Sequence, residues 1–359
     1  QSLNKVIGCW VDSREPEAAL RITTILDLAD NVFFESDRSP KDWAALAVAF
    51  SNVIRAWSFA STLRNKGIRE GLSRLSEDYD DPTHRIESLL SRLEKIVDDA
   101  GSADQIPLRI LRRTYGSAIT SYATEHNSRS GEENCKKARQ LWDRFNDRGY
   151  GDPDVALYNH LFYVFGKLCD NQSSELLWRE MLNDGIAVPD TKTYNWRLLS
   201  YKNNAFSSSN LAVAKTVWGE MRENEISPDT ISYNTYLGCF VGTQDILVAE
   251  EGNAVFHELI EISHNGDRSC QVSVVSLNTI IEIWSTLATT TEAVDAKEEA
   301  LKSVLVILME VSKLFSEGLI SVSPNTKTES GITSLLDAVN VEKEKRIGVF
   351  RLLGKFSRR

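Results

Sequence analysis

Apolar positions recur along this chain in a helical period. Ala138 is followed by Trp142 and Phe145, Ser174 by Trp178 and Met181, Ala214 by Trp218 and Met221, and Gly252 by Phe256 and Leu259. Each set is a small, an aromatic and an apolar residue at i, i+4 and i+7, which is one stripe of an α-helix. The small first residue lets a neighbouring helix approach closely, so these stripes predict helices packed in pairs. The partner helix lies upstream. Pro153-Asp154, Pro189-Asp190 and Pro228-Asp229 each supply a break and an N-terminal negative charge, and residues such as Tyr194, Leu198 and Leu199 repeat at helical spacing behind the second break.

An asparagine stands five residues after each of these aspartates: Asn159 after Leu157-Tyr158, Asn195 after Thr193-Tyr194 and Asn234 after Ser232-Tyr233, spaced 36 and 39 residues apart. The chain is therefore an array of repeats, each two helices and a turn. The gap from asparagine to stripe is longer after Asn195 and Asn234 than after Asn159. In the Asn195 unit the extra length is assigned to a turn at Ser207-Ser208-Ser209-Asn210, since stacked helix pairs tolerate insertions in one turn.

Weaker units flank this core. Thr114-Tyr115-Gly116 opens one that ends in the Ala138 stripe, with a polar insertion from Glu125 to Asn134. Ala49-Phe50-Ser51-Asn52 with Trp57 opens an earlier one, its partner at about 84–99 beyond a polar loop at 64–83. Ser276-Leu277-Asn278 opens another, with a second helix over about 293–318, and Pro324-Asn325 leads into a last pair. The reading is an all-α fold of about six helix pairs and a half-unit at 15–30. It divides into degenerate repeats at 1–104, a repeat array at 105–325 and a capping pair at 326–359.

Composition agrees with a folded chain. Of 359 residues, 42% are apolar and 26% charged, and the net charge of −10 argues against a surface that is polyanion-binding throughout. Only the C-terminal stretch is basic, through Lys343, Lys345, Arg346, Arg351, Lys355, Arg358 and Arg359; it suits either an RNA-facing patch or the solvated face of a terminal helix. Five dispersed cysteines encode neither a disulfide framework nor a thiolate zinc site, as expected of a reducing compartment. The longest apolar stretch, Val304 to Met309, falls short of the ~20 residues that cross a bilayer, so no membrane partner is expected. The chain starts at Gln1 and reads as a segment of a longer precursor, its targeting signal missing.

Catalytic patterns are poor. His84, His126, His160, His257 and His264 make no His-Glu-x-x-His motif, and no Gly-rich phosphate loop appears. The acidic run Glu77-Asp78-Tyr79-Asp80-Asp81 reads as a solvated loop. No enzyme activity, metal, cofactor or small-molecule substrate is expected.

The Pro-Asp, Tyr-Asn and small-aromatic-Met pattern resembles the pentatricopeptide-repeat family of organellar RNA-binding proteins, well over 153–260 and less so over 105–339. The Trp-x-x-Leu-Gly opening of tetratricopeptide repeats is absent. The resemblance implies a right-handed α-solenoid whose first helices line the inner surface, with one RNA base read per repeat. It casts the asparagine as principal base reader and the residue after the next break as its partner: Asn159 with Asp190 and Asn195 with Asp229, combinations that favour uracil, and Asn234 with Ser273, which favours cytosine. Base-clamping positions would be Ala156, Lys192, Ile231 and Val275; Lys192 departs from the aliphatic pattern and suits a phosphate instead. Gly116 and Ser51 occupy the reader position in the poorer units.

Each of these residues also has a plain structural role, the asparagines as inter-repeat hydrogen bonders and the aspartates as helix caps. Trp142, Trp178 and Trp218 belong to the core rather than to base stacking. Two functions therefore stand. One is pyrimidine-preferring single-stranded RNA binding in an organelle, a mitochondrion before a plastid, in RNA processing, stability or translation. The other is a non-catalytic scaffold that binds other components of an organellar ribonucleoprotein. Asn159, Asn195 and Asn234 in one open row with Asp190 and Asp229 favour the first; asparagines buried between repeats would overturn it.

Overall fold

A computed structural model describes residues 2–13, 18–33, 39–64, 82–101, 105–123, 128–202 and 206–354. The acidic run at 77–81 and Lys355, Arg358 and Arg359 of the basic tail lie outside them. Among the described residues every regular element is a helix: α1 (Ser2–Ser13), α2 (Ala18–Phe33), α3 (Pro40–Arg64), α4 (Pro82–Asp99), α5 (Leu108–Thr120), α6 (Ser128–Asp147), α7 (Val155–Lys167), α8 (Asn171–Asp184), α9 (Thr191–Tyr201), α10 (Ser208–Glu223), α11 (Thr230–Gly238), α12 (Ile246–His264), α13 (Val274–Thr290), α14 (Val294–Ser316), α15 (Thr326–Ala338) and α16 (Lys343–Leu353). The all-α helical-repeat reading is right.

The helices fall into two compact units, Gln1–Pro189 and Asp190–Arg359. In the first, α3, α5 and α7 pack in succession, with α4, α6 and α8 each laid against the helix before it. In the second, α9, α11, α13 and α15 form one layer, and α12, α14 and α16 pack in order in the other. First helices thus contact first helices, as the repeat pattern requires.

The stripes are the glue between the layers. Ala138, Trp142 and Phe145, Ser174, Trp178 and Met181, Ala214, Trp218 and Met221, and Gly252, Phe256 and Leu259 are all buried, and the three tryptophans are core as expected. Each repeat tyrosine ties its first helix to the end of the second: the Tyr158 hydroxyl donates to Asp184 (2.8 Å) and that of Tyr233 to Glu258 (2.8 Å), while Asn224 donates to Tyr194 (3.0 Å). Trp218 stacks on Tyr236 at 4.6 Å between ring centres and meets Tyr233 edge-on.

Two boundaries differ from the sequence reading. Ser207 caps α10 by accepting from the Asn210 amide, so Ser208–Asn210 is the first helical turn rather than a loop. Part of the polar 125–134 insertion is likewise helical, because α6 begins at Ser128. Serine and asparagine favour both turns and helix starts, and their pattern alone does not separate the two. Within α3, Lys41–Ser61 has the length and mean hydropathy (1.2) of a bilayer span, yet 67% of that window is buried against other helices of its unit.

Candidate nucleic-acid interface

The break residues fix the first helices. Asp154 caps α7 by accepting from the Leu157 amide (2.9 Å). Asp190, Asp229, Ser273 and Asn325 form capping boxes with Thr193, Ser232, Ser276 and Thr328. Each cap locks the register of its helix and so places the residues one turn further on.

In the second unit the caps also receive the asparagines. Asn195 Nδ2 donates to Asp229 Oδ1 (3.1 Å), Asn234 Nδ2 to Ser273 Oγ (3.2 Å) and Asn278 Nδ2 to Asn325 Oδ1 (3.2 Å). One bond recurs three times, from the asparagine of one first helix to the cap of the next. The pairs Asn195 with Asp229 and Asn234 with Ser273 are thus brought together as the sequence suggested. Asn159 and Asp190 belong to different compact units. The sequence reading missed the third rung, although Leu277-Asn278 and Pro324-Asn325 both stand in the primary structure.

The rungs differ in what they leave over. Asn195 Oδ1 and Asn234 Oδ1 are buried and have no hydrogen-bond partner. An orphaned buried acceptor of this kind costs about 1–3 kcal/mol unless something donates to it. At the third rung the Thr328 hydroxyl donates to Asn278 Oδ1 (2.6 Å), so that amide is complete. Asn195 is only 2% exposed and Asn159 8%, whereas Asn234 is half-buried. The reader asparagines therefore do not form the open row that base reading favours.

The clamp positions are what solvent meets. Ala156 and Lys192 are exposed, and Ile231 and Val275 keep 50% of their surface open. Beside Val275 runs a cleft of about 320 Å³ that Lys202, Gly238, Asn278, Glu282 and Lys327 also line. Lys327 is paired with Glu282 at 2.8 Å, and the stem of Lys202 crosses the bare α-carbon of Gly238.

The poorer reader position at Gly116 has a packing cause. A β-carbon there would collide with the His160 ring, whose Nδ1 is bonded to Thr120 Oγ1 (2.8 Å). Gly116 makes room for an imidazole from the next repeat. On the second-helix layer, basic groups are consumed by partners one repeat on: Arg139 by Glu180 (2.7 Å) and Arg222 by Glu258 (2.6 Å).

Caps that bind the asparagine of the preceding helix define a tandem two-helix repeat protein with a regular first-helix face. Residues 176–243 match a family model described as a pentatricopeptide repeat domain. A pentatricopeptide repeat-containing protein of Arabidopsis thaliana is 23% identical over 172 residues, 48% of this chain and 19% of that protein. Among solved structures, pentatricopeptide repeat protein PPR10 from maize aligns with 99% of the chain at 17% identity, over 39% of its own length, with a TM-score of 0.49. PPR10 in complex with an 18-nt psaJ RNA element aligns at 16% identity over 52% of its length, with a TM-score of 0.40. The chain thus spans well under two thirds of the relatives it matches.

Proposed function

We propose that this chain binds single-stranded RNA on its first-helix face, one base to a repeat, as a non-catalytic organellar factor in RNA processing, stability or translation. The mitochondrion is favoured over the plastid. The observation that supports base reading is the pairing of a repeated cap-to-asparagine bond with an orphaned carbonyl oxygen at Asn195 and Asn234. A base inserted between exposed clamp residues such as Ile231 and Val275 would bury their aliphatic surface and offer that oxygen a donor.

Base preference follows from the cap. The Asp229 carboxylate only accepts, so it pins the Asn195 nitrogen and leaves Oδ1 to meet a donor such as uracil N3–H. The Ser273 hydroxyl both donates and accepts, so the Asn234 amide is free to turn its nitrogen toward cytosine N3, an acceptor. Asn278, already satisfied by Thr328, is assigned no preference.

The test is fluorescence anisotropy of the chain with uridine-, cytidine- and adenosine-rich RNAs at low and near-physiological salt, beside the Asn159/Asn195/Asn234→Ala variant. Pyrimidine preference that disappears in the variant supports the reading; binding that the variant leaves unchanged refutes it. One observation favours a second reading, the protein-interaction scaffold of a ribonucleoprotein: Asn195 is closed to solvent in a chain of net charge −10. On that reading the cap-to-asparagine bonds hold the repeats together, and no RNA sequence is preferred.

A further inference from the structure

A cleft of about 390 Å³ lies between α3 and α5 in the first compact unit, lined by Val48, Ser51, Asn52, Arg109, Ile110 and Arg113. Ser51 and Asn52 are 3% and 9% exposed, and among the described residues neither side chain has a hydrogen-bond partner. Arg109 and Arg113 are exposed, stand one turn apart on the same helix face, and neither is paired with a carboxylate among the described residues. Several nearby arginines are taken up: Arg92 by Asp27, Arg144 and Arg148 by the buried Glu94, and Arg112, beside the cleft arginines in sequence, by Asp154 and the Asp152 carbonyl. Like charges at i and i+4 repel. An acidic chain thus holds, among the described residues, two guanidiniums without a carboxylate partner beside a hydroxyl and an amide that line the same cleft.

We propose that this cleft is a phosphodiester site for single-stranded RNA. The proposal rests on the RNA-binding reading above but not on base reading by the asparagines. Guanidinium groups match phosphate oxygens in geometry as well as charge, and the Ser51 hydroxyl and Asn52 amide add neutral donors at the floor. Arg113 stands two residues before Tyr115, as Lys192 stands two before Tyr194. A unit whose reader position is Gly116 then holds the backbone instead of a base. Contacts of this kind add affinity without sequence preference.

The experiment titrates the whole chain and its Arg109→Gln/Arg113→Gln variant with uridine-rich and adenosine-rich RNAs and with an abasic ribose-phosphate oligomer of equal length. Both substitutions are on exposed positions, and a circular-dichroism melt verifies the fold. Wild type should bind both RNA and oligomer, the oligomer more weakly. The variant should lose about tenfold on each at low salt, keep its ratio of uridine to adenosine binding, and show a log K against log salt slope shallower by about 1.4 for two lost contacts. Asn52→Ala should lose affinity for both kinds of ligand to a lesser degree. Unchanged affinity and slope in the arginine variant overturn the phosphodiester site even if RNA binding is sound. Arginine-dependent abasic binding that survives Asn195→Ala/Asn234→Ala, with no base preference in wild type, upholds the cleft while base reading falls. Inhibition by millimolar inorganic phosphate equal to that by the oligomer assigns the cleft to free phosphate and overturns the RNA assignment.

Discussion

Asp229 Oδ1 accepts three hydrogen bonds, from the Ser232 amide, the Ser232 hydroxyl and Asn195 Nδ2. Cap and repeat contact are one atom, so Asp229→Ala should lower stability by about 1–2 kcal/mol, read as a shift in urea midpoint at constant slope. This double use explains what the sequence could and could not say. The five-residue step from Asp229 to Asn234, and its copies, placed the caps and asparagines, because capping chemistry is local. That Asn195 lies closed under the next repeat depends on helix packing, and no residue type announces it. Nor did the sequence reading anticipate that the Thr328 hydroxyl would complete Asn278. Ionisation gives a second prediction. Burial pushes the thiols of Cys135, Cys239 and Cys270 up to about 12 from 9.0, and burial with the Glu258 carboxylate raises Tyr233 as well. Up to about pH 8 both folded and unfolded chains hold these protons. Above it the unfolded chain loses them first, so stability should be nearly level from pH 7 to 8, already lower at pH 9 and fall steadily toward pH 12. Urea titrations at pH 7, 9 and 10.5 measure it; a flat profile to pH 10.5 would contradict the burial of these groups.

At the scale of elements, the aromatic stripes carry the packing. Trp218→Ala should cost about 3–5 kcal/mol, because it removes a ring stacked on Tyr236 and set edge-on to Tyr233. Gly116→Ala tests the contact between α5 and α7 more finely. Alanine is the better helix former by about 1 kcal/mol, yet the His160 ring occupies the space its methyl needs, so the single substitution should destabilise. With His160→Ala added, the clash is gone and the propensity gain should appear; a thermal-denaturation double-mutant cycle reads the coupling. The helices were legible wherever a stripe or a Pro-Asp step marked them. The starts of α6 and α10 were not, since Ser128 and Ser207 stand in polar runs that read equally well as loop.

At the scale of the molecule, charge decides how RNA would be held. With a net charge of −10 and arginines such as Arg139 and Arg222 paired to carboxylates, the phosphate contribution is small, so binding should be weak and its dependence on salt shallow. Base contacts must then supply the preference. The measurement that tests this most directly exchanges one cap for another. Asp229→Ser keeps a good helix cap and gives Asn195 the partner that Asn234 already has in Ser273. Anisotropy titrations with RNAs that differ only at the base facing Asn195 should show wild type preferring uracil and the variant shifting toward cytosine by several-fold, with unchanged melting temperature and unchanged preference elsewhere. Equal affinity for uracil and cytosine in both proteins would contradict base reading by the cap and asparagine pairs and leave them as the joints of a scaffold.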